Sequence, residues 1–204
     1  MLASLPLFLL MDVHAATIYS DFGPGNTYNF DGGYVVLGPD CANLVGPGCS
    51  PDEIAMGFTP SDNYSLTQIN VALQYSAGTN AVILTLSSDN NGLPGAALAN
   101  WNLSGLPAID TCCPIETVTP ASAIDLSSGT QYWILASPGA ADAFLTWNFN
   151  LSEAGPVAHN EGSGFLSGTG GLGAFDVLGT VVPVPEPAGL FSAAGLGLLF
   201  RFHS

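Results

Sequence analysis

Lysine is absent from this chain of 204 residues, and arginine occurs once, at Arg201, against sixteen aspartates and glutamates. The formal net charge is -15. Nucleic-acid binding depends on Lys and Arg to neutralise phosphates, so this composition excludes a nucleic-acid partner. Electrostatic docking on anionic lipid is excluded for the same reason. Phosphorylated substrates meet no basic clamp. Histidine is nearly as scarce: His14, His159 and His203 are the three. No CxxC spacing and no lysine-bearing phosphate loop occur, which argues against zinc, dithiol redox chemistry and nucleotide binding. A serine nucleophile would depend on His159 alone, and no nucleophile-elbow sequence is present.

Other features point to a folded β protein. Hydrophobic residues make up 48% and charged residues only 8%, so the chain has a core to bury and is not an acidic disordered tail. Twenty-five glycines and fifteen prolines argue against a helical bundle and for short strands joined by turns. Strand signals recur at Tyr34 to Leu37, Ile54 to Phe58, Ala81 to Leu86, Ala97 to Leu103, Gln131 to Ala136, Ala143 to Phe149 and Phe175 to Val182. Between Ile69 and Tyr75, apolar residues alternate with Asn70, Ala72 and Gln74, the two-residue period of a half-buried strand. Residues 16–182 are therefore expected to form one all-β domain, an antiparallel β-sandwich of jelly-roll type. The glycine-dense stretch Gly162 to Gly173 reads as a flexible surface loop.

The two ends differ from the domain. Leu2 to Met11 is an apolar run too short to span a bilayer, and Val13-His14-Ala15 suits cleavage after Ala15. Residues 1–15 are thus expected to be a secretory signal peptide, although no Lys or Arg precedes the apolar run. In residues 183–204, Pro185-Glu186-Pro187 is followed by the apolar run Ala188 to Phe200 and then by Arg201. Prolines keep the entry extended, a short apolar helix can follow, and Arg201 is placed as a stop on the cytoplasmic side.

This order closely resembles the PEP-CTERM sorting signal of bacterial exported proteins. The resemblance implies an exosortase-type processing enzyme as partner and a transient membrane anchor through the C-terminal helix. Cleavage near Pro185-Glu186-Pro187 and release to the cell surface or extracellular matrix would follow. It also implies an inner-membrane-anchored intermediate and a setting in which exopolysaccharide is a candidate partner. Family members usually end in several basic residues, whereas Arg201 stands alone here. Within the domain, Tyr19 to Gly25, Ile54 to Pro60, Ser88 to Gly95 and Gly129 to Trp133 resemble choice-of-anchor domain proteins. That resemblance implies an extracellular β-rich domain without an assigned activity.

Candidate chemistry within the domain is sparse. Cys41, Cys49, Cys112 and Cys113 form an even set in a chain read as exported, so disulfides are expected. Cys41-Cys49 with Cys112-Cys113 is one connectivity; two bridges from Cys41 and Cys49 to the Cys112-Cys113 pair is the other kind. Asp89 to Gly95 has the alternating oxygens of a calcium loop but lacks its downstream glutamate, so a hairpin turn at Asn91-Gly92 is expected. With no cationic partners, the carboxylates must be solvated or metal-bound, which leaves calcium open as a cofactor. Glu53, Glu116, Glu153 and Glu161 offer carboxylates for glycoside chemistry, but such pairs are easily found among so many. Trp101, Trp133 and Trp147 would stack on sugars if exposed, yet sit at core-like spacing in strands. The expected function is that of a non-catalytic exported surface or matrix protein, with a carbohydrate-binding module, calcium-assisted, as the alternative.

Overall fold

The computed structural model describes residues 15–183. The expected signal peptide before Ala15 and the sorting residues Pro185, Glu186, Pro187 and Arg201 lie outside the described residues. What is described is almost entirely antiparallel β, in two curled sheets that resemble a sandwich. One sheet runs β1 (Ala16–Ser20), β13 (Phe175–Val181), β4 (Tyr64–Val71) and β8 (Glu116–Val118), with β9 (Asp125–Leu126) also on β4. The other runs β12 (Leu166–Gly173), β11 (Phe144–Asn160), β3 (Glu53–Phe58), β10 (Tyr132–Pro138), β6 (Ala81–Asp89) and β7 (Pro94–Ser104). The first half of β11 is flanked instead by β2 (Asn29–Leu37) and β5 (Leu73–Ala77). A four-residue helix α1 (Ala42–Val45) sits inside the Cys41–Cys49 loop. Among the described residues no helix is long and apolar enough to cross a membrane.

The main core lies between the sheets. Ile18, Leu66, Ile69, Val118, Phe175 and Val177 face Ile54, Met56, Leu84, Leu86, Ile134 and Trp147 across it. Alternation predicts one buried face per strand, but β3 and β10 are buried on both. On the outer side Trp133 packs on Ala55 and Ala158 beneath Leu93, Leu135 and Phe165. Its Nε1 donates to Asp89 Oδ1 at 2.8 Å. Trp133 and Trp147 are fully buried, and Trp101 is half-buried with its Nε1 donating to the Thr119 carbonyl. The tryptophans therefore serve the packing.

The segment Ile69 to Tyr75 is not the single half-buried strand that its alternation suggests. It is two strands in different sheets, pivoting at Ala72, and Asn70, Ala72 and Gln74 are all buried. The second crossing, Gly173 to Phe175, lies beside it and pivots at Ala174. Backbone hydrogen bonds close a ring at this corner. Ala72 N–H donates to the Ala174 carbonyl, Ala174 N–H to that of Asn148, and Asn148 N–H to that of Ala72. Strands that switch sheets at such a corner need small residues, and both pivots are alanines without exposed surface.

The expected glycine-rich loop is corrected in part. Gly162 and Gly164 occupy a turn with positive φ, but Leu166–Gly173 is strand β12, paired along β11. Glycine is used there for contact, because ring faces lie directly on the backbone. A Cβ at Gly173 would sit 2.6 Å from the Trp147 ring, and one at Gly170 would sit 3.2 Å from the Tyr34 hydroxyl.

The hairpin expected at Asn91-Gly92 is present. Asn91 and Gly92 have φ of 56° and 82°, and Asn90 and Leu93 exchange backbone hydrogen bonds around them. Cys41 is bonded to Cys49 and Cys112 to Cys113, which selects the first of the connectivities left open.

Gly173→Ala is expected to lower stability by roughly 1–3 kcal/mol, the usual cost of forcing atoms into a packed core. Urea unfolding with unchanged slope measures it; a neutral result would mean Trp147 does not hold this corner.

Candidate functional site

The site that stands out is built around an irregularity in β11. Phe149 pairs with Gly173, but the next pair is Ala154 with Gly171, so residues 150–153 bulge from the strand. A bulge re-aims side chains. Here Leu151 points into solvent, 56% exposed, while Asn150 turns inward. The Asn150 amide Nδ2 donates to the Glu153 carbonyl at 3.0 Å, closing the bulge, and to Asp21 Oδ2 at 3.1 Å. Asp21 Oδ1 accepts from the Phe175 N–H at 2.7 Å, so one carboxyl ties the bulge to the start of β13.

Tyr34, on β2, crosses the glycines of β12. Its hydroxyl donates to the Gly171 carbonyl at 2.7 Å. Its ring meets Phe149 and His159 edge-on, with centroids 4.9 and 5.0 Å apart. A hollow opens on each side of it. The larger, about 390 Å³, is lined by Phe149, Asn150, Leu151, Glu153, Ala154 and Gly171. The smaller, about 200 Å³, is lined by Val157, His159 and Gly168 to Gly170. Together they form a shallow groove with a half-buried tyrosine at its centre and polar groups at its ends.

At one end His159 Nδ1 lies 3.8 Å from Asp52 Oδ1. The separation suits an ion pair, but burial works against charge on both partners. Asp52 is pushed up to about 7, first by burial and then by the negative charges of Glu161 and Glu53. His159 is pushed below its ordinary value by burial, with Glu161 opposing. Burial thus disfavours the charged form of both partners, which weakens the contact as a salt bridge. Asn160 holds the adjoining hairpin: its Nδ2 donates to Glu53 Oε2 at 2.8 Å, and its Oδ1 accepts from Gly162 and Gly164.

The carboxylates have a solution that the composition did not suggest. Several are bonded by amide side chains in place of cations. Asp21 takes Asn150, Asp176 takes Asn70, Glu53 takes Asn160, and Asp89 takes Gln131 together with Trp133. Asp89 also accepts from Gly92 N–H, so it serves the hairpin. Among the described residues no group of three or more histidine, cysteine or carboxylate side chains is placed to hold a metal ion.

The fold scatters the candidates that the sequence offers. Glu53 and Glu161 come together beside Asp52, Glu153 lies in the bulge, and Glu116 is on β8 in the other sheet. Cys41–Cys49 closes the α1 loop, whereas Cys113 packs against a separate small cluster of Tyr28, Ala72 and Ala174. Ala15 is exposed at the first described position. Sequence reasoning missed Tyr34, Asp21 and Asn150 as site residues. Tyr34 was legible only as a strand residue, and the bulge that positions Asn150 has no composition signature.

The comparisons with known proteins leave the site to its own geometry: no family model matches the chain, and neither a curated protein nor a solved structure does.

Burial raises Asp21 to about 7, as it does Asp52, and it also raises Asp176 and Glu116. Each holds a proton in the fold at a pH where the unfolded chain has lost it, around 4. For Asp21 and Asp52 the stabilising effect is complete below that pH and is lost as pH rises towards 7, and Asp176 and Glu116 act in the same sense. His159, with a lowered value, works in the opposite sense. The thermal midpoint is expected to fall between about pH 4 and pH 7, and Asp52→Asn to flatten the slope. A midpoint that climbs across that interval would contradict the assignment.

Proposed function

We propose that this chain is an exported bacterial protein that acts at the cell surface or in the extracellular matrix without catalysis. Its domain is a jelly-roll-like β-sandwich. It is anchored transiently by the C-terminal segment and released through cleavage at a PEP-CTERM signal. The observation that carries this is the order Pro185-Glu186-Pro187, apolar run, Arg201. Pairing of all four cysteines supports it, because disulfides persist in oxidising compartments outside the cytoplasm. The chemistry of the surface suits that setting too: a lysine-free acidic domain repels other polyanions and stays soluble among neutral glycans.

Mass spectrometry of the mature protein from an exosortase-positive host tests the sorting step. The segment after Pro187 is expected to be missing, and retention of Arg201 in the secreted form would overturn it. Loss of residues 1–15 is the matching expectation at the other end.

A second reading, glycan binding, is favoured by one specific feature. The groove beside Tyr34 presents two neighbouring aromatic rings, Tyr34 and Phe149, with Glu153 and His159 at its margins. Aromatic faces with a few polar groups are how proteins hold neutral sugars. A glycan array run with and without EDTA tests it and reports calcium assistance at the same time. Tyr34→Ala is expected to abolish any signal, with circular dichroism reporting separately whether β12 stays ordered. An empty array for the unaltered protein would end the glycan reading and leave the sorting proposal standing.

A further inference from the structure

We infer that the free edge of β7 is a self-association surface, on which a second copy of this chain adds its own β7 antiparallel about a two-fold axis at Asn102. Among the described residues β7 ends its sheet and pairs only with β6. The direction of its free groups follows from the register. Gly139 N–H, just past β10, donates to the Ala81 carbonyl, so Ala81 turns its backbone towards β10. Alternation then makes Val82, Leu84 and Leu86 the residues that bond to β7. Their partners are Leu103, Trp101 and Ala99. Asn100, Asn102 and Ser104 are left with N–H and C=O aimed away from the sheet, and all three are exposed.

The occupant is set by hydrogen-bond chemistry and charge. Only an extended backbone satisfies a row of alternating donors and acceptors. No charged residue occurs between Asp89 and Asp110, so this edge is neutral on a chain of net charge -15. Two such polyanions repel each other wherever carboxylates meet and approach most easily through a neutral strip. A cationic peptide, by contrast, would be drawn to the acidic surfaces and away from this edge. Self-pairing about Asn102 also closes the register. Asn102 lies opposite its own copy, and Asn100 lies opposite Ser104 of the second copy. Every free N–H and C=O of the three residues is then satisfied.

The regular edge is bounded on both sides. Leu98 has no partner in the register between Ala97 and Ala99, a bulge that leaves it exposed. Gly105, with φ of 72°, turns the chain away after Ser104. The contact is therefore short, the dimer weak, and its formation favoured by salt, which screens the repulsion between copies. Another neutral edge, β12, is a poorer template because its Gly171 carbonyl is taken by Tyr34 and its glycines lose more freedom on ordering.

Sedimentation equilibrium of the full chain at high concentration, in low and high salt, is the test, joined to amide exchange by NMR. The expected result is association that strengthens with salt. The amides of Asn100, Asn102 and Ser104 should become protected as concentration rises, while those of Trp101 and Leu103 are protected throughout. Asn102→Asp places two carboxylates across the axis and is expected to weaken association about tenfold or more. Leu166→Asp, on the β12 edge, is expected to leave it unchanged. Both positions are exposed, so each variant should unfold like the parent. The proposal fails if the protein stays monomeric throughout. It also fails if association survives Asn102→Asp or if Leu166→Asp abolishes it. Protection at amides other than these three on association would place the contact elsewhere and overturn it.

Discussion

The two sheets are joined at one buried corner, where Ala72, Ala174 and Asn148 pass backbone hydrogen bonds around a ring. Each residue donates once and accepts once, so no member can be lost without orphaning another. A buried backbone group left unpaired costs about 1–3 kcal/mol, and Ala72, Ala174 and Asn148 have no exposed surface. The Ala174 carbonyl accepts a second bond, from Trp147 Nε1 at 3.0 Å. That bond fixes the indole over Gly173, which explains why the adjoining strand must be glycine there. Trp147 then reaches the inner core against Phe175, with ring centroids 6.1 Å apart. The corner therefore sets the spacing of the sheets, the glycine at the end of β12 and the place of Trp147 in the core.

The same economy governs the charges. A chain with sixteen carboxylates and one cation cannot neutralise its buried acids by salt bridges. Protonation and amide donors take that role. Asp21 and Asp52 are raised to about 7, while Asn150, Asn70, Asn160 and Gln131 supply N–H groups to Asp21, Asp176, Glu53 and Asp89. An amide donor stabilises a carboxylate less than a guanidinium does, so at Asp21 and Asp176 burial wins and the carboxyl keeps its proton longer. The Asp21–Asn150 pair illustrates the consequence for the site. It holds the β11 bulge closed, and the bulge in turn forms the wall of the groove beside Tyr34.

Much of the strand pattern was legible in the sequence, and the parts that were not share a cause. Ile54 to Phe58 and Gln131 to Ala136 were readable because β-branched and aromatic residues cluster there between turns. Asn91-Gly92 was readable because a two-residue hairpin needs positive φ at both positions. Ala72 was not, since a change of sheet in mid-alternation alters no local preference; only Ala174 and Asn148, distant in sequence, make it a pivot. Gly162 to Gly173 looked like a loop because composition reports backbone freedom, and the rings of Tyr34 and Trp147 that remove that freedom are distant too. The groove fails to show for the same reason: its parts come from β2, β11 and β12 and acquire meaning only through an extra stretch of residues in one strand. The cysteine pairing was narrowed but not decided, because spacing alone leaves both kinds of connectivity open.

Edge strands invite pairing, and proteins commonly defend them with lysine, a defence this chain lacks entirely. It uses shape in its place. On β12 the defence is glycine and a tyrosine hydroxyl that occupies an edge carbonyl. On β7 it is the bulge at Leu98 and the turn at Gly105, which shorten the regular run. Acidic side chains would have served as well, and the chain has them in excess, yet none falls on either edge. Charge is placed instead where it bonds to amides or faces solvent. A strand left neutral in so acidic a protein is the surface where the repulsion between copies is least, and at Asn100, Asn102 and Ser104 it is also where backbone groups stand free. Those two properties coincide on one short segment, which gives self-recognition a defined place without opening either whole edge to aggregation.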